Sequence, residues 1–182
     1  MMAGGSMAGR VWLPFLWAGL IVALDRVTKV LIEQKVALWD TIPVIPGILN
    51  IVYTRNRGAA FGLLNDAPEL LRKVLLIGVS LVILAYIVRM LWTQSESRVA
   101  LTLVLGGAVG NLYDRIVYGS VTDFIQVFLG SYEWPSFNVA DSAICLGAGL
   151  LALEIFRPRA GAVQTVTAPV GKAKGENVSE AH

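Results

Sequence analysis

Two carboxylates stand where carboxylates are scarce. Asp123 is the one acid in GSVTDFIQVF at 119–128, and Asp141 sits at the head of FNVADSAICLGAGLLALEIF at 137–156, an otherwise largely apolar run. Ionisable groups at membrane depth point by default to a functional site. Donors cluster around both. Asn111, Asp114 and Arg115, at i, i+3 and i+4, share one helix face, and Asn138 and Asp141 share another. Two polar faces at one membrane level are costly unless they meet. If the two acids meet, they cannot both ionise easily: one keeps a proton while the other serves as base. Such a dyad activates a water without a metal, and its titration belongs to the pair.

Each residue also has a plainer reading. Asp141, at a helix start, complements the helix dipole. Gly106 and Gly110 make a GxxxG packing face with Asn111 as hydrogen-bonding glue. Asp25 and Lys29 form an i,i+4 ion pair that closes a helix, and Asp114 with Arg115 anchors a helix end.

The rest of the composition narrows the chemistry. His182 is the only histidine and the last residue, so neither a His-based triad nor an HExxH zinc site is available. Cys145 is the only cysteine, which removes an intrachain disulfide and a Cys-based metal cluster and leaves it as a small packing residue. Catalysis must then run on carboxylates, lysine or hydroxyls, with no metal and no cofactor expected. Net charge is only +2, without the basic field that nucleic acid requires. The chain is 55% hydrophobic and 15% charged, with mean hydropathy +0.65. Soluble domains are about 45–50% apolar and about 25% charged, so the composition points into a bilayer.

Four apolar runs are available to position the acids, at about 11–32, 70–92, 99–118 and 137–157, since about 20 residues cross the hydrocarbon core. No small-residue cleavage site follows the first run; Asp25, Arg26 and Lys29 come instead, so it reads as a retained helix. Asp66 and Glu69, at capping-box spacing, and Pro68 mark the start of the second. Pro158 stops the fourth. Residues 1–9 read as a disordered leader, 10–158 as one domain and 159–182 as a disordered cytoplasmic tail. The loops at 48–54 and 121–128 are β-branched-rich and strand-like. The expected fold class is therefore an all-α membrane protein: four transmembrane helices with a small extracytoplasmic β layer formed by the loops. Lys and Arg counts lean slightly towards cytoplasmic termini. A small transporter or proton-relay protein would use the same carboxylates, although four helices without inverted repeats suit a transport pathway poorly.

Five ordered blocks between about 12 and 158 resemble the bacterial lipoprotein signal peptidases, the type II signal peptidases. They are Asp25-Arg26-Val27-Thr28-Lys29, Asn56-Arg57-Gly58-Ala59-Ala60-Phe61, Gly106 to Arg115, Val121-Thr122-Asp123-Phe124, and Phe137-Asn138-Val139-Ala140-Asp141-Ser142. Arg57 departs from the small polar residue expected between Asn56 and Gly58. The resemblance implies an intramembrane aspartic endopeptidase with Asp123 and Asp141 as its catalytic pair. It further implies cleavage of diacylglyceryl-modified prolipoproteins on the N-terminal side of the lipidated cysteine. Asn56, Gly58, Asn111, Asp114, Arg115, Asn138 and Ala140 would bind substrate or support the dyad, the loop of Asn56 forming part of a cover. Asp25 and Lys29 would be structural support. The implied setting is the bacterial inner membrane, with cytoplasmic termini, an active site near the outer face, lipid around it and a monomeric enzyme.

Overall fold

A computed structural model of the chain describes residues 7–58, 64, 67–93 and 97–155. Among the described residues four helices and four strands follow in the order α1 (Met7–Lys35), β1 (Thr41–Ile45), β2 (Leu49–Asn56), α2 (Glu69–Trp92), α3 (Arg98–Tyr118), β3 (Val121–Leu129), β4 (Tyr132–Phe137) and α4 (Val139–Ile155). The C-terminal tail, Asp66 of the expected capping box, and Ala59, Ala60 and Phe61 lie outside the described residues. Of the expected leader, positions 7–9 already belong to α1, and 1–6 lie outside.

The expected fold class requires correction. The chain is not all-α: its strands form one four-stranded antiparallel sheet in the order β1-β2-β3-β4. The segments at 48–54 and 121–128 fall in β2 and β3, but each of these gains an unforeseen partner. Both added strands, TIPVI and YEWPSF, contain a proline, which demotes a run to an edge strand. They are indeed the two edges of the sheet. Nor do four helices qualify as spans. Among the described residues only α2 is long and apolar enough to cross a membrane, with mean hydropathy 2.6 over its best window. Asp25, Arg26, Lys29, Glu33 and Lys35 charge the second half of α1, Asn111, Asp114 and Arg115 interrupt α3, and α4 runs for 17 residues.

Only 11% of that α2 window is buried, so α2 is not the core helix of a soluble protein. Its exposed Leu70, Val74, Val79 and Val82 join Trp12, Leu16, Trp17 and Leu24 of α1 in an apolar exterior, which marks a lipid-facing surface. The core proper is small: Ala18 of α1, Leu84, Ile87 and Leu91 of α2, and Leu101, Leu105 and Leu112 of α3.

Helix α3 packs against the other three, and glycine permits the approach. A Cβ on Gly106 would stand 2.8 Å from the Ile21 Cβ of α1, and one on Gly107 would collide with the Ala140 carbonyl oxygen of α4. The C-terminal end of α3 sets the position of the first acid. Gly119, at φ 71°, occupies the left-handed C-cap and turns the chain straight into β3. Asp123 thus lies close in space to the polar end of α3, and β4 leads directly into α4.

Candidate active site

Asn138 is the joint of the site. It caps α4: its Oδ1 accepts the Asp141 N–H at 2.9 Å, and the Asp141 carboxylate returns the bond by accepting the Asn138 N–H at 3.2 Å. This reciprocal pair is a capping box, the ordinary way to satisfy exposed amides at a helix start. The Asn138 Nδ2 amide, fully buried, turns the other way and donates to the Asp123 carboxylate at 2.8 Å. One residue, through its side-chain amide and its backbone N–H, thereby couples the β3 carboxylate to the α4 carboxylate. The plain reading of Asp141 as a helix-start residue and the dyad reading describe one geometry.

From α3, the Asn111 Nδ2 amide donates to the other oxygen of Asp141 at 2.7 Å. Asp141 thus accepts a bond at each oxygen while remaining half-buried. Asp123 is 2% exposed. Burial, reinforced by the negative charge of Asp141, raises its pKa to about 7, against the opposing hydrogen bonds of Asn56 and Asn138. Register holds the acid in place: Thr54 of β2 pairs with Asp123 and donates to its carbonyl at 3.3 Å. Bulges flank this point in both ladders, between Ile51 and Thr54 and between Ile125 and Val127, which is how a strand re-aims a side chain.

Behind the acids lies a buried ion cluster. Lys29 of α1, with no exposed surface, reaches Asp25 at 2.7 Å, Asp114 at 2.7 Å and the Asn111 Oδ1 at 3.2 Å. Asp25 also accepts the backbone N–H of Ala140 at 2.9 Å, tying α1 to the first turn of α4. Gly110 explains itself here, because its missing Cβ would stand 2.9 Å from the Asp25 carboxylate. Asp25 and Asp114 are therefore partners of Lys29, and Asp114 is linked to the dyad through Lys29 and Asn111. Arg115 donates to the Asn111 carbonyl and to the Gly58 carbonyl, both at 3.3 Å, while Asn56 Oδ1 accepts the Gly58 N–H at 3.0 Å. The loop after β2 is thus fastened beside the dyad.

Sequence reasoning misses three supporting residues. Arg26 joins Glu33 at 2.9 Å and Asp114 at 3.4 Å, and Glu33 accepts from Thr122, the neighbour of Asp123, at 2.8 Å. Their seven-residue separation places Arg26 and Glu33 on one face of α1, a spacing that sequence can supply; the link to Thr122 it cannot. Among the described residues no group of three or more His, Cys, Asp or Glu side chains is arranged to hold a metal ion. A half-buried carboxylate beside a buried, proton-holding one can deprotonate a water and supply an acid to the same reaction centre.

The chain resembles known proteins along most of its length. The family model described as signal peptidase (SPase) II matches residues 17–157. The lipoprotein signal peptidase of Solibacter usitatus is 44% identical over 152 residues, covering 81% of this chain and 93% of its own. That of Syntrophotalea carbinolica is 46% identical over 142 residues, covering 77% and 88%, and that of Shigella boydii is 41% identical over 150, covering 80% and 91%. Two solved structures of a bacterial membrane enzyme, obtained in meso, superpose with TM-scores of 0.73 and 0.72 at 31% identity. They cover 85% and 86% of this chain, and 92% and 99% of their own.

Proposed function

The chain belongs to the signal peptidase II family, and from that premise we propose that Asp123 and Asp141 are the catalytic pair with which it removes signal peptides from prolipoproteins. It is a membrane hydrolase of the aspartic peptidase type. The observation that carries the assignment is Asn138, whose side-chain amide donates to the Asp123 carboxylate while its backbone N–H donates to that of Asp141. Transport by the same carboxylates has no support in these relationships.

Asp141 takes the proton of the attacking water, because it is the more open acid and its negative charge is supported by Asn111 and Asn138. Asp123 carries the proton of the dyad near neutrality and hydrogen-bonds through it to the oxygen of the scissile carbonyl as negative charge develops; the proton that Asp141 took from water then passes to the leaving amine. Asn56, Gly58, Arg115 and Ala140 hold the loop after β2 and the start of α4 in register with substrate. Asp25, Lys29 and Asp114 fix Asn111 from behind.

The substrate is a prolipoprotein carrying diacylglyceryl on the cysteine that follows the cut. Its acyl chains lie among the membrane lipids and its scissile bond reaches the site near the outer face of the inner membrane, with the protein's termini cytoplasmic.

A gel-shift cleavage assay on diacylglyceryl-modified prolipoprotein, with Asp123→Asn and Asp141→Asn in parallel and a chelator control, tests the reading. Cleavage by the natural chain alone, indifferent to chelator, is expected. Turnover by either variant overturns the dyad.

A further inference from the structure

Arg115 also lines an open cavity of about 510 Å³ whose lining includes neither acid of the dyad. Arg55 and Arg57 reach it from the end of β2, Arg72 and Lys73 from the first turns of α2, and Arg115 from α3. Among the described residues Glu69 is the one carboxylate in its lining. That acid is already engaged with Lys73 at 2.6 Å. Arg55 is held by a neutral group, donating to the Tyr53 hydroxyl at 2.9 and 3.1 Å. The Arg115 Nε is buried with no hydrogen-bond acceptor among the described residues. Arg55, Arg57, Lys73 and Arg115 alone set four cations around this one carboxylate, a site with surplus positive charge suited to a tetrahedral oxyanion.

The position of the cavity selects the source of that oxyanion. It opens at the first turns of α2, the helix apolar enough to cross a membrane, and Ile77, one turn beyond Lys73, also lines it. The cationic end therefore passes directly onto apolar helix surface, the profile of a lipid headgroup joined to its chains. Clustered Lys and Arg at such a boundary bind anionic lipids, each cation strengthening binding about fivefold.

We propose that this cavity is a binding site for the phosphate of an anionic phospholipid, seated between the loop after β2 and the start of α2. The phospholipid is bound intact and is not cleaved, so the site is independent of the peptidase assignment. Through Arg115, which also donates to the Gly58 carbonyl, an occupied site would brace Gly58.

The test is native mass spectrometry of the full chain released from mixed micelles of phosphatidylglycerol and phosphatidylcholine, with soluble glycerol phosphate as competitor. The natural chain should retain phosphatidylglycerol at least about tenfold over phosphatidylcholine, unaffected by equimolar glycerol phosphate. Arg57→Ala should reduce that preference about fivefold, and Arg57→Ala with Lys73→Ala should abolish it. Arg89→Ala, at the other end of α2, should leave it unchanged. Equal retention of the two lipids, an unchanged preference in Arg57→Ala, or an equal loss in Arg89→Ala overturns the site. Displacement by glycerol phosphate overturns its assignment to lipid. None of these readings requires cleavage.

Discussion

Replacing Asp123 by asparagine should destroy activity and stabilise the fold, and pH separates the two effects. The acid has a pKa of about 7 in the folded chain against an ordinary 3.8, because burial opposes its charge. Between those values the folded chain holds a proton that the unfolded chain has released, so stability falls as pH rises through this window and levels off above about 7. Roughly three pH units at about 1.4 kcal/mol each gives a penalty on the order of 4 kcal/mol at pH 8. Asparagine keeps the shape and the hydrogen-bonding capacity without the charge. At pH 8 Asp123→Asn should therefore unfold at a temperature higher by roughly 10 °C, converting at about 2–4 °C per kcal/mol for a chain of this size. The gap should close as pH falls towards 4. Thermal unfolding in detergent at pH 4 to 8.5, read by tryptophan fluorescence, measures it. In the natural enzyme the cleavage rate should fall about tenfold per pH unit above about 7, as Asp123 loses its proton. The reasoning is refuted if Asp123→Asn shows the same pH slope of stability as the natural chain.

Lys29→Met should leave Asp25 and Asp114 as uncompensated buried charges and free Asn111, costing about 3–5 kcal/mol; a melting temperature within about 2 °C of the natural chain would contradict the cluster. Gly107→Ala drives a methyl onto the Ala140 carbonyl, so α3 and α4 must separate, with a cost of about 1–3 kcal/mol; unfolding and cleavage measured together should both suffer. Glu33→Gln keeps the size of the acid but weakens its hold on Arg26 and Thr122, so it should lower kcat with little change in KM. Recovery by Glu33→Asp would mark the carboxylate as a positioning group, whereas equal losses in both variants would make Glu33 merely structural.

Chemical type was legible in the sequence because scarcity is a property of composition. One terminal histidine, one cysteine and isolated acids beside apolar runs left few kinds of catalysis available. Helical spacing also put Asn111 on one face with Asp114 and Arg115, and Asn138 on one face with Asp141, since a period of 3.6 residues is a local property. The number of spans was not legible in the same way. Apolar runs at 11–32, 99–118 and 137–157 each look long enough to cross, yet among the described residues only α2 meets the measure of length and apolarity. The edge strands β1 and β4 were hidden by their prolines, and become strands only because β2 and β3 offer them partners.

Sequence alone therefore determined which groups were present and which neighbours within a helix they faced. Tertiary structure decided which of them touch. The left-handed turn at Gly119, the approach of α3 to α4 at Gly107 and the reversal of β4 into α4 bring Asp123 onto Asn138, 15 residues away in sequence. The same packing sets Lys29 against Asn111 across 82 residues. Local periodicity carries no record of such distances; they exist because a buried charge in a dry interior must find its partner, wherever the chain has put it.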